Sequence, residues 1–112
     1  MGRLVFQAIE FGRDTSWSLG RQYRLWFTPS GNLQVWNTVD SRVVWHSATS
    51  GHRLAMQADG NFVIYGDRGE SMWSSGTGGN GGAYLAAQDD GDLVIHSKTT
   101  DRILWRTRTA GR

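Results

Sequence analysis

The chain has 112 residues and a net charge of +2, from 12 Lys and Arg against 10 Asp and Glu, with 15 Gly, one Pro and no Cys. That length suits one domain with a modest core, and the missing cysteines exclude disulfides, thiol nucleophiles and thiolate metal sites. The small, scattered charge argues against a nucleic-acid partner, and no apolar run is long enough for a membrane helix, so no membrane insertion is expected.

The opening segment Met1-Gly2-Arg3-Leu4-Val5-Phe6-Gln7 has no basic stretch leading into a long apolar one. It does not read as a signal peptide, which points to a cytoplasmic chain or one exported by a non-classical route. Leu4–Ile9 reads as a first strand. From Leu25 onward a motif recurs three times. Thr28-Pro29-Ser30-Gly31-Asn32-Leu33-Gln34-Val35-Trp36, Gln57-Ala58-Asp59-Gly60-Asn61-Phe62-Val63-Ile64-Tyr65 and Gln88-Asp89-Asp90-Gly91-Asp92-Leu93-Val94-Ile95-His96 align on glycines 29 and 31 residues apart. Behind each copy stands a Trp in a polar setting: Trp45-His46-Ser47-Ala48-Thr49, Trp73-Ser74-Ser75-Gly76-Thr77 and Trp105-Arg106-Thr107-Arg108-Thr109. A period near 30 defines a repeat architecture. We expect one domain, 1–112, with repeats at about 21–50, 51–80 and 81–109.

Each copy reads as a hairpin. Asp59-Gly60 is a strong turn signal, and a turn centred on Gly60 places Leu54, Met56, Phe62 and Ile64 on one face. Ala55, Gln57, Asp59, Asn61, Val63 and Tyr65 fall on the other, because strand side chains alternate. The equivalent apolar sets are Leu25, Phe27, Leu33 and Val35, then Leu85, Ala87, Leu93 and Ile95. The apolar face must be buried and the polar face exposed; a slip of one residue would invert both. This centring sets Ala55 opposite Tyr65, Ala86 opposite His96 and Trp26 opposite Trp36. With a third strand per repeat and the N-terminal strands, about a dozen short strands result. A lone hairpin is unstable in water, so three sheets must close around a shared axis, with Trp45, Trp73 and Trp105 filling it.

Gln57, Asp59, Asn61 and Tyr65 surround the small apolar Val63 with a mixture of acceptors and donors. A neutral polyhydroxylated ligand needs that mixture, with Val63 against its C–H surface. Gln-x-Asp-x-Asn-x-Val-x-Tyr, in three repeats with trailing Trp-x-Ser/Thr-x-Thr segments, resembles the monocot mannose-binding (bulb-type) lectin family over roughly Leu25 to Thr109. The resemblance implies an all-β, β-prism II fold of three four-stranded antiparallel sheets and calcium-independent recognition of mannose or mannose-containing glycans, without cofactor, metal or catalysis. It further implies that Asp59 and Asn61 hold the axial 2-hydroxyl, Gln57 the 3-hydroxyl and Tyr65 the 4-hydroxyl. A homo-dimer formed by exchange of the C-terminal strand, Arg102–Thr109, is a further implication.

The other copies depart from the motif. Gln88, Asp90, Asp92, Val94 and His96 form a second candidate sugar site, in which Asp92 replaces the Asn and His96 the Tyr. Asp90 and Asp92 would then be two repelling carboxylates, with His96 as a weak third metal ligand. The first copy matches only at Asn32 and presents Trp26 and Trp36, read as a self-association surface or a glycan-stacking platform. Two rival functions stand beside the lectin reading, an enzyme and a protein-interaction module. Asp89, Asp90 and Asp92 lack the cleft that glycosidase carboxylates need, and His46, His52 and His96 belong to no nucleophile–base motif. A protein-interaction module that keeps the fold and has largely lost sugar binding is the alternative to a lectin.

Overall fold

A computed structural model describes residues 2–112; Met1, the first residue of the expected domain, lies outside them. Twelve short strands occupy the described residues. They are β1 (Arg3–Phe6), β2 (Ile9–Gly12), β3 (Thr15–Leu19), β4 (Tyr23–Phe27), β5 (Leu33–Asn37), β6 (Arg42–His46), β7 (Arg53–Met56), β8 (Phe62–Tyr65), β9 (Ser71–Ser74), β10 (Tyr84–Gln88), β11 (Leu93–His96) and β12 (Ile103–Arg106). They form three four-stranded antiparallel sheets in the orders β3-β4-β5-β6, β2-β7-β8-β9 and β1-β10-β11-β12. This is the β-prism II arrangement that the resemblance implies, and the three sheets that the repeats require. No helix is present among the described residues.

Each repeat supplies three strands of one sheet, and the N-terminal segment supplies the fourth to all three in turn. The expected strand Leu4–Ile9 is therefore two strands in different sheets. The chain bends between them at Ala8, which adopts a left-handed φ of 49°. β12 pairs with β11 of its own chain, Val94 opposite Arg106 and Ile95 opposite Trp105.

The faces follow the sequence pattern. Leu25, Phe27, Leu33, Val35, Leu54, Met56, Phe62, Ile64, Leu85, Ala87, Leu93 and Ile95 all lie in the buried core. Trp45, Trp73 and Trp105 meet in a triangle with ring centroids 5.4–5.9 Å apart, all edge to face. That geometry suits aromatic quadrupoles. Phe6, Phe11 and Trp17, one from each N-terminal strand, form a second aromatic triangle at 4.7–5.5 Å.

The hairpin register differs by two residues from a Gly60-centred turn. Leu54 lies opposite Ile64, Ala55 opposite Val63 and Arg53 opposite Tyr65. The cause is a three-residue loop. Gly60 N–H donates to Gln57 C=O at 3.0 Å, Gln57 N–H donates to Asn61 C=O at 2.9 Å, and Gly60 takes a φ of 91°. This is a turn closed by a glycine bulge, and it is repeated at Gly31 and Gly91. A shift of two leaves side-chain parity, and hence the faces, unchanged. These glycines also seat the repeats against one another. A Cβ at Gly31 would lie 1.9 Å from Gly51 O, one at Gly60 2.3 Å from Asn80 O, and one at Gly91 2.5 Å from the Tyr23 ring.

Candidate functional site

Behind each turn sits the same hydrogen-bonded cradle, built from the Asn or Asp after the glycine and the Ser/Thr-x-Thr after the tryptophan. In the second repeat Asn61 Oδ1 accepts from the Ser75 hydroxyl at 3.2 Å and from Thr77 N–H at 3.3 Å. Ser75 Oγ in turn accepts from Phe62 N–H at 3.1 Å, and the Thr77 hydroxyl donates to Gly60 C=O. The spacer between Ser and Thr is left-handed in all three copies: Ala48 at 57°, Gly76 at 71° and Arg108 at 60°. The cradle therefore ties β6, β9 and β12 to the turns, and it fixes how the Asn amide points.

What differs is the fate of the other amide or carboxylate atom. Asn32 Nδ2 is 3.3 Å from His46 Nδ1, which takes it up within the protein. Among the described residues Asn61 Nδ2 has no protein partner, and Ser74 stands where the first repeat has His46. In the third repeat Asp92 has a side chain with 0% exposure, and Arg106, at the same place, donates to its Oδ2 at 2.7 and 3.1 Å. Its Oδ1 accepts from the Thr107 hydroxyl at 2.8 Å and Arg108 N–H at 2.9 Å. Burial alone would raise the Asp92 pKa, but Arg106, Thr107 and Thr109 outweigh it and hold the carboxyl below its ordinary value.

Asp90 and Asp92 are therefore not two unpaired, repelling carboxylates. Asp92 is a structural carboxylate with its own counter-ion, while Asp90 accepts from Asp92 N–H at 3.0 Å. Gln88, with its amide turned to satisfy both groups, donates to Asp90 at 3.1 Å. Val94 is buried. His96 stacks on Tyr84 with centroids 5.3 Å apart, and its Nδ1 lies 2.9 Å from Asp101 C=O. The five residues share a sheet face without converging on an open site. Among the described residues no group of three His, Asp or Glu could hold a metal ion.

In the second repeat Asp59, Asn61, Gln57 and Tyr65 gather on the outer face. Asp59 Oδ1 accepts from Asn61 N–H at 2.9 Å, leaving Oδ2 to the exterior. The Gln57 amide donates to the Tyr65 hydroxyl. Val63, between them in sequence, is 2% exposed, not the open apolar contact that the alternation suggested. Beyond Tyr65, the Arg53 guanidinium lies 4.2 Å from the phenol ring centroid and pairs with Glu10. Arg53 and Glu10 had no sequence signal, because a Gly60-centred turn sets Ala55 rather than Arg53 across the hairpin from Tyr65.

In the first repeat Trp26 lies opposite Gln34, and Trp36 opposite Arg24, so the indoles are diagonal neighbours rather than a facing pair. Trp36 Nε1–H donates to Gln34 at 2.7 Å and Trp26 Nε1–H to Asp14 at 3.3 Å. Trp17 lies opposite Leu25 on the inner face and does not cover them.

No family model matches the chain. Among solved structures it superimposes on a Marasmius oreades lectin with a TM-score of 0.81 at 28% identity, covering 94% of this chain and 89% of that one. A Gastrodia elata protein, described as a monomeric monocot mannose-binding lectin, gives 0.80 at 29% identity, covering 96% and 97%. The snowdrop (Galanthus nivalis) mannose-specific agglutinin, solved with methyl-α-D-mannoside, gives 0.72 at 28% identity over 94% and 95%. A G-type lectin S-receptor-like serine/threonine-protein kinase of Arabidopsis thaliana is 29% identical over 89 residues, 65% of this chain. The chain spans about a tenth of that kinase's length.

Three sheets closed about a tryptophan axis define a β-prism II domain of the lectin type, a non-catalytic class. By fold and by its threefold repeat, the chain is similar to the monocot mannose-binding, bulb-type lectins.

Proposed function

We propose that the chain is a calcium-independent lectin that binds mannose, or glycans ending in it, on the outer face of its second sheet. The observation that carries this is the free amide of Asn61. Its oxygen is pinned by Ser75 and Thr77, so its NH₂ is held outward as a donor, 2 residues from an acceptor, Asp59 Oδ2, and beside the Gln57–Tyr65 pair. One hydroxyl can accept from Asn61 and donate to Asp59 at once. A neighbouring hydroxyl can take over the bond that Gln57 now gives Tyr65. Val63 supplies the floor once that pair parts. All contributing groups are neutral except Asp59, whose lone pairs suit hydroxyl donors.

About four exposed hydrogen bonds at a net ~1 kcal/mol each sum to ~4 kcal/mol, which corresponds to a dissociation constant near millimolar. Useful avidity then requires several sites on one assembly or one longer chain. Isothermal titration with methyl-α-mannoside, before and after adding a chelator, tests the reading. The expected result is chelator-insensitive binding that Asn61→Ala abolishes. Unchanged binding by Asn61→Ala, in a variant that melts like the parent, would refute it.

A further inference from the structure

We propose that the outer face of the first sheet is a second, chemically different glycan site, which takes a pyranose bearing a carboxylate, such as a hexuronic acid. A cleft of about 260 Å³ opens there, lined by Arg24, Trp26, Trp36, Thr38 and Ser41. Both indole N–H groups are spent inside the sheet, on Gln34 and Asp14. Those bonds fix the rings and leave carbon surface for a ligand, which matches the C–H face of a sugar ring rather than its hydroxyls. Hydrogen bonding must then come from Arg24, Thr38 and Ser41.

The charge argument comes from comparing two sheets of one molecule. Arg24 and Arg53 hold the same register, each directly across from the aromatic residue of its repeat, Trp36 and Tyr65. In the second sheet Arg53 is neutralised by Glu10, which stands beside Ala55 on the neighbouring strand. In the first sheet the position equivalent to Glu10 is Ser16, beside Trp26. Asp14 accepts from Trp26, and Asp40 pairs with Arg42. Among the described residues Arg24 has no ion pair, so an unpaired cation stands at the edge of an aromatic cleft. A guanidinium there binds a carboxylate with two parallel hydrogen bonds.

A protein partner fits less well. A stable interface covers about 800 Å² per side. The other large exposed apolar residues are Leu4, Val5, Ile9, Val39, Met72 and Ile103, and only Val39 belongs to the first sheet. The cleft is mixed in character and the size of a small ligand.

The test is an NMR titration of the full chain with methyl-β-glucuronide and, separately, methyl-β-glucoside, following the indole N–H signals of Trp26 and Trp36. We expect both signals to shift, with the glucuronide binding about tenfold tighter at low salt and the gap closing as salt is added. Arg24→Gln should bring the glucuronide down to the glucoside's affinity. Methyl-α-mannoside, followed separately at Asn61, reports the second-sheet site, so either site can fail alone. No indole shift with either sugar at tens of millimolar would overturn the proposal. So would equal affinity for the two sugars, shifts confined to Asn61 and Tyr65, or indole signals that move on dilution without sugar, which would mark self-association.

Discussion

Replacing Arg106 by Ser should destabilise the domain, and replacing Asp92 by Asn in the same chain should restore it. The Asp92 carboxylate has no solvent exposure, while the Arg106 side chain retains 37%. Arg106→Ser removes both charge-assisted bonds to Oδ2 and leaves the donors to Oδ1, Thr107 and the Arg108 and Thr109 amides, in place. Orphaning one member of a buried pair costs about 3–5 kcal/mol. Solvent access on the Arg106 side weakens the pair, so we take about 2 kcal/mol, or a fall in Tm of about 10 °C for a domain of this size. Adding Asp92→Asn recreates the Asn61–Ser74 arrangement that the second repeat already uses, and should return stability to within about 1 kcal/mol of the parent. The assay is urea denaturation of the four members of this cycle at several pH values. In the parent, the lowered Asp92 pKa contributes stability that is present above the ordinary carboxylate value of about 3.9 and lost as pH falls through the folded value. In Arg106→Ser, burial is no longer offset by the cation, the folded pKa moves up, and the penalty should shrink on acidification. An Arg106→Ser chain as stable as the parent at pH 7, or a double variant no better than the single one, would refute the assignment of Asp92 as a structural ion.

The reverse exchange in the second repeat, Asn61→Asp with Ser74→Arg, should leave the Tm nearly unchanged and abolish mannoside binding in titration calorimetry, because the outward amide becomes a paired carboxylate. Tyr65→Phe should weaken mannoside binding by about fivefold, one hydrogen bond at a net ~1 kcal/mol, without a change in stability larger than about 1 kcal/mol. Ala48→Gly should raise stability by about 1 kcal/mol, since Ala48 holds a φ of 57° where the second repeat has Gly76; thermal melts would show it. Gly60→Ala should lower stability by at least about 2 kcal/mol by the same assay, given its φ of 91° and a Cβ 2.3 Å from Asn80 O.

Which residues face inward was legible in the sequence because parity survives an error of two in the turn centre. Leu54 and Ile64 are buried whether the loop holds one residue or three. Cross-strand partners were not legible, since the glycine bulge at Gly60 moves every pair by two; Trp26 and Trp36 lost their facing geometry for this reason. The site was legible as a list and illegible as a hydrogen-bond circuit. Asn61 is presented by Ser75 and Thr77, just past the end of β9, and Asp92 is consumed by Arg106 at the end of β12, each partner 14 or more residues away. Val63 shows a related limit. Alternation places it outward, yet it is 2% exposed, as the equivalent Val94 is 1% exposed. The break at Ala8 carried no sequence signal, because nothing in Leu4–Ile9 marks a left-handed residue.

The N-terminal segment gives one strand to each sheet, in the reverse of the order in which the repeats are made: β3 to the first repeat, β2 to the second and β1 to the third. On a ribosome the first sheet can therefore form as soon as β6 emerges, while β2 must wait for β7 and β1 for β10. Arg3 and Gln88, paired at the end of that wait, are separated by most of the chain. Assembly should run from the first sheet to the third, each closure lengthening the loop that has to be ordered. Until the last repeat is made, Leu4 and Val5 sit on an unpaired strand edge, so the nascent chain is most exposed to misassociation just before the prism closes.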